Sequence, residues 1–272
     1  MKHISSRDNP GFKALRVLAE GAREQRRTGL CLLDGSHLVA AYRDKVGLPE
    51  RLVVSEHGAT QPEIAALQAR LAGTETWLIS DRLFAELSGV ATPSGILALI
   101  RIPAAPAIAS GRGSCVLLDA LQDAGNVGSI LRSAAAAGIR DVFLGKGCAG
   151  VWTPRVLRAA QGAHFDLALR EQADLAQVIN DFSGIVVAAT AHDAAPLYRL
   201  DLSGDVAWLF GNEGAGVSPE LLRRAKLRAA IPMAPGSESL NVAAAAAVCL
   251  FEEVRQKTIL APFPQPPSHG RG

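Results

Sequence analysis

The sequence predicts an α/β protein built as two domains, and three observations carry that expectation. Hydrophobic residues fill 49% of the 272 positions and charged residues only 20%, a balance that favours packed cores over disorder. Short apolar runs of strand length alternate with helix-length amphipathic segments along both halves of the chain. Between the halves, residues 103–113 combine proline, glycine and small side chains without a periodic apolar face, which is linker composition. The expected division is residues 1–102, a linker over 103–113, a second domain over 114–260 and a disordered proline-rich tail over 261–272.

Composition also excludes several classes. No apolar run approaches the length of a bilayer span, because charged residues interrupt each one. The N-terminal Met1-Lys-His-Ile-Ser-Ser has no apolar signal core, so a cytoplasmic protein is expected. Cys31, Cys115, Cys148 and Cys249 are far apart and form no CxxC pair; reduced thiols account for them better than disulfides or zinc, and no metal is expected. A net charge of +2 is too small to argue for nucleic acid by itself; only a clustered basic surface would.

In the first half, Asn9-Pro10 pairs an N-cap with proline at the first helical position. Leu15, Leu18, Ala19 and Ala22 then share one face, while Lys13, Arg16, Arg23 and Arg27, with Arg26 beside them, fall largely on another. These cations are candidate contacts to an RNA backbone; the alternative is a solvated helix, since Glu20 and Glu24 interrupt the basic face. Strands are expected at 30–34, 51–54, 76–79 and 96–100, and helices at 35–42, 62–71 and 81–87. His37 and His57 stand alone and are expected to be structural or exposed.

In the second half, strands are expected at 115–119, 141–144, 165–169, 184–188, 206–210 and 227–231. Helices are expected at 127–137, stopped by Gly138, at 154–160, at 173–181, from Pro219, and from Leu240 onward with one long apolar face. Parallel sheets bind ligands beyond the carboxyl ends of their strands. Three polar bends follow strands there: Asp123–Arg132, Leu209–Ser218 and Ile231–Val242. Asn126 and Gly128 open a helix whose free amides favour an anion such as phosphate, and Arg132 offers a guanidinium fork. Gly211 and Gly214 allow backbone to approach a ligand closely. Glycine used for turn geometry alone is the competing account, and three bends bearing Asn, Glu, Arg and Ser make it the weaker one. No strand leads into GxGxxG with an acid about twenty residues on, and no GxxxxGK[ST] occurs. His164 and His192 lie outside the bends, so no Ser-His-Asp arrangement stands out. Physical chemistry alone stops at a polar ligand with anion contacts.

The segments Asn126-Val-Gly-Ser-Ile-Leu-Arg132, Leu209-Phe-Gly-Asn-Glu-Gly-Ala-Gly-Val-Ser218 and Ile231-Pro-Met-Ala-Pro-Gly-Ser-Glu-Ser-Leu-Asn-Val242 resemble the three ordered motifs of the SpoU/TrmH family. These are RNA ribose 2′-O-methyltransferases of the SPOUT class. Arg155–Phe165 resembles the family's segment between the first two motifs, and the N-terminal half is more loosely similar to its ribosomal-protein-like substrate-binding domain. Ala124 departs from the pattern, which usually has proline in an Asp-Pro-Gly-Asn turn. The resemblance implies a parallel-sheet domain tied in a deep trefoil knot, S-adenosylmethionine as cofactor, and a homodimer packed through the knot. It implies cofactor contacts at Leu209, Gly211, Ile231, Met233, Ser239, Leu240 and Asn241. Catalytic roles fall on Arg132, Asn126, Glu213 and Asn241, and Arg132 also contacts RNA. An arginine base is awkward, since guanidinium stays protonated, so Arg132 is expected to grip phosphate and stabilise alkoxide charge. Glu213 is expected to orient Asn126 or the substrate. Ribosomal RNA is the expected substrate; tRNA, a base-modifying SPOUT enzyme and a catalytically silent RNA-binding relative are the alternatives.

Overall fold

The computed structural model describes residues 1–106, 113–191, 193–237 and 239–260. Residues 107–112 of the expected linker, the expected tail, His192 and Glu238 lie outside the described residues. The first half contains β1 (Lys2–Ile4), α1 (Pro10–Glu20), α2 (Ala22–Thr28), β2 (Leu30–Asp34), α3 (Ser36–Lys45), β3 (Arg51–Ser55), α4 (Pro62–Arg70), β4 (Thr76–Ile79), α5 (Asp81–Ser88) and β5 (Ile96–Arg101). Its five strands form one sheet in the order β1-β4-β3-β5-β2. The pairs β1–β4 and β3–β4 are parallel, whereas β5 runs antiparallel to both β3 and β2.

Period-two alternation sorts this sheet into two faces. Leu32, Val53, Trp77, Leu97 and Leu99 pack with Phe12, Leu15 and Leu18 of α1 and Leu83, Phe84 and Leu87 of α5. Their neighbours Leu33, Leu52, Val54, Ile96, Ala98 and Ile100 face Leu38 and Val39 of α3 and Ile64 and Leu67 of α4. Asn9 caps α1 as expected, its Oδ1 accepting from the amides of Gly11 at 2.9 Å and Phe12 at 3.2 Å. The expected single basic helix is in fact two. Gly21 is extended, with φ −178° and ψ 156°, so α1 stops and α2 starts afresh.

The second half contains β6 (Cys115–Leu118), α6 (Ala124–Ala136), β7 (Asp141–Leu144), α7 (Pro154–Ala160), β8 (Ala168–Glu171), α8 (Leu175–Asp181), β9 (Ile185–Ala189), β10 (Ala195–Pro196), β11 (Val206–Phe210), α9 (Pro219–Arg224), β12 (Leu227–Ala230) and α10 (Val242–Leu260). A seven-stranded sheet runs in the order β10-β12-β9-β11-β6-β7-β8, and all its pairings are parallel. The chain first adds β7 and β8 on one side of β6, then crosses to build β9, β11 and β12 on the other. That reversal makes β6–β11 the topological switch point, where parallel sheets open a crevice. Val116, Leu118, Trp208 and Phe210 face α6, α7 and α10, while Cys115, Leu117, Ala207 and Leu209 face α8 and α9.

The strand expected at 165–169 lies further along. Residues Ala163–Asp166 form a 3-10 turn first, and pairing with β7 begins at Ala168. The turn is engaged elsewhere: Phe165 meets Tyr42 edge-on at 5.5 Å, and Asp166 pairs with Lys45 at 2.5 Å. These contacts join the two sheets, and a single apolar cluster runs continuously from Leu33 and Tyr42 to Val116 and Leu131. On α10, Glu253 is buried and accepts from Trp208 Nε1 at 2.5 Å, from Lys257 Nζ at 2.7 Å and from the Ser114 hydroxyl. Ser114 Oγ in turn accepts from the Val206 amide at 3.0 Å.

His164 is buried beside Trp152, with ring centroids 5.0 Å apart and Nε2 donating to the Val151 carbonyl at 2.7 Å. Burial lowers its pKa from the ordinary 6.5 to about 4, with the Val151 carbonyl opposing the shift. The folded value lies below the unfolded one, so the unfolded chain binds more protons between them. Stability is therefore expected to fall as pH drops from about 6.5 toward 4, with a limiting slope of about 1.4 kcal/mol per pH unit. Urea denaturation across that window, compared with His164→Gln, checks this; a pH dependence identical in the variant contradicts it.

Candidate active site

The bends after β6, β11 and β12 meet side chain to side chain. Glu213, after β11, accepts from Asn126 Nδ2 at 3.1 Å, from the Asp123 amide at 3.1 Å and from the Gln122 amide at 3.4 Å. Asn126 Oδ1 accepts from Asn241 Nδ2 at 2.9 Å. Asn241 Oδ1 accepts from the amides of Ala243 at 2.9 Å and Ala244 at 3.3 Å, which makes it the N-cap of α10. One line of hydrogen bonds thus runs from the start of α10 through Asn241 and Asn126 to Glu213. Desolvation raises the Glu213 pKa, but the Asn126 carboxamide and the backbone amides of Glu213, Asp123 and Gln122 outweigh it and hold the carboxyl below its ordinary value.

The loop after β11 is folded on itself. Asn212 and Gly216 exchange backbone hydrogen bonds at 2.9 Å, and Asn212 Oδ1 accepts from the amides of Gly214 and Ala215 at 3.0 Å. Asn212 Nδ2 donates to the Ala120 carbonyl at 2.9 Å, and Asp119 accepts from the Ser218 amide at 2.8 Å. Gly211 is required by this fold-back, since a Cβ there would lie 2.1 Å from the Gly216 carbonyl carbon and the Val217 nitrogen. Its tight packing serves the loop itself, besides leaving Gly211 on the cavity wall.

At the start of α6, where an anion cradle is expected, the protein itself takes up one of the first-turn amides. The helix begins at Ala124, earlier than expected, with Asp123 as N-cap accepting from the Asn126 amide at 2.7 Å. The preceding amides, at Gln122 and Asp123, serve Glu213. Gly128 serves helix packing: a Cβ there would lie 2.4 Å from Ala159 Cβ and 2.8 Å from the Val156 carbonyl of α7. Ala124 occupies the first helical position, where proline is also favoured, so its presence costs no hydrogen bond.

Beside the line lies a cavity of about 770 Å³, within the roughly 300–1,000 Å³ typical of small-molecule sites. Gly211, Glu213, Ile231, Met233, Ser239, Leu240 and Asn241 line it. Leu209 does not. Strand alternation turns its side chain into the core between the sheet and α8 and α9, and Phe210 is the wall residue instead. Asn126 touches the cavity only through Glu213 and Asn241, and Arg132 stands on the exposed surface of α6, off the lining. Among the described residues Arg132 pairs with no carboxylate. The N-terminal cations are not brought to the cavity: Lys13 pairs with Asp8 at 2.8 Å, Arg16 with Glu20 at 3.6 Å, Arg27 with Glu24 and Arg26 with Glu171 at 3.7 Å. Asp193 and Arg228 line the cavity without having been expected there, as neither belongs to a glycine- or asparagine-bearing bend. Among the described residues no cluster of three or more His, Cys, Asp or Glu is arranged to hold a metal, and no helix is long and apolar enough to cross a membrane.

Residues 113–251 match the SpoU rRNA Methylase family, and residues 2–98 match the MRM3-like substrate binding domain. This chain belongs to the SpoU rRNA methylase family. Among similar members, a 23S rRNA (guanosine(2553)-2′-O)-methyltransferase of Bacillus subtilis is 32% identical over 92% of this chain and 98% of its own length. The AdoMet-bound rRNA methyltransferase of Sinorhizobium meliloti superposes with a TM-score of 0.81 at 27% identity, covering 93% of this chain and 97% of that one. The SpoU methyltransferase AviRb of Streptomyces viridochromogenes, in complex with AdoMet, gives 0.83 at 25% identity over 92% and 98%. The α/β fold with its parallel sheet is thus that of SpoU methyltransferases, preceded by a substrate-binding domain.

In this SpoU protein the Asn241 side chain both caps α10 and anchors Asn126. Asn241→Ala is expected to lower stability by about 1–2 kcal/mol, of which the missing cap supplies roughly 1. Asn241→Ser keeps a capping oxygen and should recover part of the loss. Equilibrium denaturation checks both, and an Asn241→Ala variant as stable as wild type contradicts the assigned cap.

Proposed function

We propose that this protein transfers a methyl group from S-adenosylmethionine to a ribose 2′-hydroxyl of ribosomal RNA. The observation that carries it is the hydrogen-bond line joining the three family motifs beside the cavity. The residues present suit the cofactor. Phe210, Ile231, Met233 and Leu240 supply apolar wall for an adenine and a methionine chain, and Gly211, Ser239 and Asn241 supply backbone and polar groups. When bound, S-adenosylmethionine supplies a sulfonium-activated, electrophilic methyl group.

The chain's own residues then have to align the ribose hydroxyl and stabilise the charge left as its proton departs to solvent water. Arg132 carries the second task in this scheme. Among the described residues it pairs with no carboxylate, so its guanidinium fork grips the adjacent phosphate and the developing alkoxide from the outer face of α6. Glu213 is a positioning group: its oxygens are occupied by Asn126 and two backbone amides, and its lowered pKa makes it a poor base. Asn126 and Asn241 hold the motifs in register. The N-terminal sheet, matching a substrate-binding domain, is the part that recognises structured rRNA. In the same scheme the stretch from β12 through α10 is threaded as a trefoil knot, and the protein works as a cytoplasmic homodimer packed through α10, where Phe251 is 46% exposed.

Nucleoside mass spectrometry after incubation with labelled cofactor and unmodified rRNA should detect 2′-O-methylated nucleosides. A base-methylated product, or none, overturns the proposal. Arg132→Ala should lower turnover by about 10²–10³-fold while calorimetry gives S-adenosylmethionine binding within about twofold of wild type; near-normal turnover removes Arg132 from its role. Sedimentation should give a dimer that Phe251→Asp weakens, and a wild-type monomer rules the dimer out.

A further inference from the structure

The loop between β7 and α7 lies against the first motif. The Gly145 amide donates to the Leu118 carbonyl at 2.9 Å, the Ala149 amide to the Leu121 carbonyl at 2.8 Å, and Cys148 Sγ to the Leu118 carbonyl at 3.2 Å. Residues 145–149 are thereby fixed alongside 118–122, the segment whose Gln122 amide serves Glu213. Lys146 is exposed on this loop. One end of the loop reaches the N-terminal helices. A Cβ on Gly150 would lie 2.5 Å from Ala22 Cβ, and Glu171 joins the Val151 amide, at 3.3 Å, to Arg26, at 3.7 Å. Arg23, next to Ala22, is exposed. Beyond the loop, Arg155 is exposed in the first turn of α7, one residue before the Val156 carbonyl on which Gly128 packs. Gly128 is two residues from Asn126.

Lys146 thus lies on the loop beside the first motif, Arg155 lies next to the packing of α7 on α6, and Arg23 lies next to the contact of α2 with Gly150. Among the described residues none of the three forms an ion pair with a carboxylate, unlike Lys13, Arg16, Arg26 and Arg27. The geometry points to these three residues as the groups that lead an RNA sugar–phosphate backbone from the N-terminal helices, over the 145–150 loop, to the catalytic edge. The inference rests on the proposed RNA substrate and assigns it a path. Unpaired, exposed cations are suited to this task, because each phosphate they neutralise releases counterions. The paired cations of α1 and α2 would first have to give up a carboxylate.

The test uses the full-length protein and an unmodified 23S rRNA transcript, with affinity measured over a series of KCl concentrations. The double variant Lys146→Ala/Arg155→Ala should bind about tenfold more weakly. Its slope of log affinity against log salt should be shallower by about 1.5, since each phosphate left without its cation removes roughly 0.7–0.9. S-adenosylmethionine affinity should stay unchanged. The control Arg140→Ala/Lys226→Ala removes two exposed cations just before β7 and β12, at the opposite edge of the sheet, and should bind RNA as wild type does. An unaltered salt slope in the first variant, or an equal weakening in the control, overturns the path. Wild-type methyl transfer, measured on the same transcript, separates failure of the path from failure of the proposed activity.

Discussion

Glu213, Asn126 and Asn241 come from segments separated by 87 and 115 residues, yet their side chains form one directional chain of hydrogen bonds. Direction is the constraint. Asn126 must turn its N–H toward the Glu213 carboxylate and its oxygen toward Asn241, and Asn241 must then spend its own oxygen on the α10 amides. Reversing any carboxamide sets acceptor against acceptor, at the desolvation cost of an unmade hydrogen bond. The sheet only sets where the three loops leave it; this chain of bonds sets where they meet. Cavity shape, the start of α10 and the ionised state of Glu213 all depend on it.

Close packing supports the same arrangement from below. Gly128 lets α6 lie directly on α7, and Gly211 lets the loop after β11 close over its own base. Neither position admits a Cβ without moving backbone. Glycines in the motifs that look made for a ligand are thus made first for the protein, and the ligand's space is what remains after those contacts are satisfied.

Much of this is legible in the residues themselves. The strands at 76–79, 141–144 and 206–210 and the helix at 154–160 stand where periodicity places them, because both their apolar patterns and their boundaries are local. The three bends, and the cavity positions 211, 231, 233 and 239–241, follow from strand ends and motif resemblance. What escapes depends on partners distant in sequence. The strand Lys2–Ile4 exists only because it pairs with β4, and three residues carry no period to read. Asp123 as the cap of α6 is signalled locally by its residue type, but the capture of the neighbouring amides by Glu213 is not. The orientation of Leu209 follows from strand alternation, whereas motif membership groups it with its neighbours. The break at Gly21 sits in an otherwise helix-favouring run, where one glycine is a weak signal.

Glu253 acquires a wider meaning from its position on α10. Asn241 pins the helix at one end through Asn126, and Glu253 pins it twelve residues later, about 18 Å along the axis, to Trp208 and Ser114. A slip of one residue would swing Glu253 by about 100° away from the buried indole N–H, and a slip of one turn would bring Cys249 or Lys257 opposite it. The helix therefore acts as a ruler with a mark at each end. The dimension of the cavity wall at Leu240 and Asn241 is gauged against the floor of the sheet, at a point that no ligand reaches.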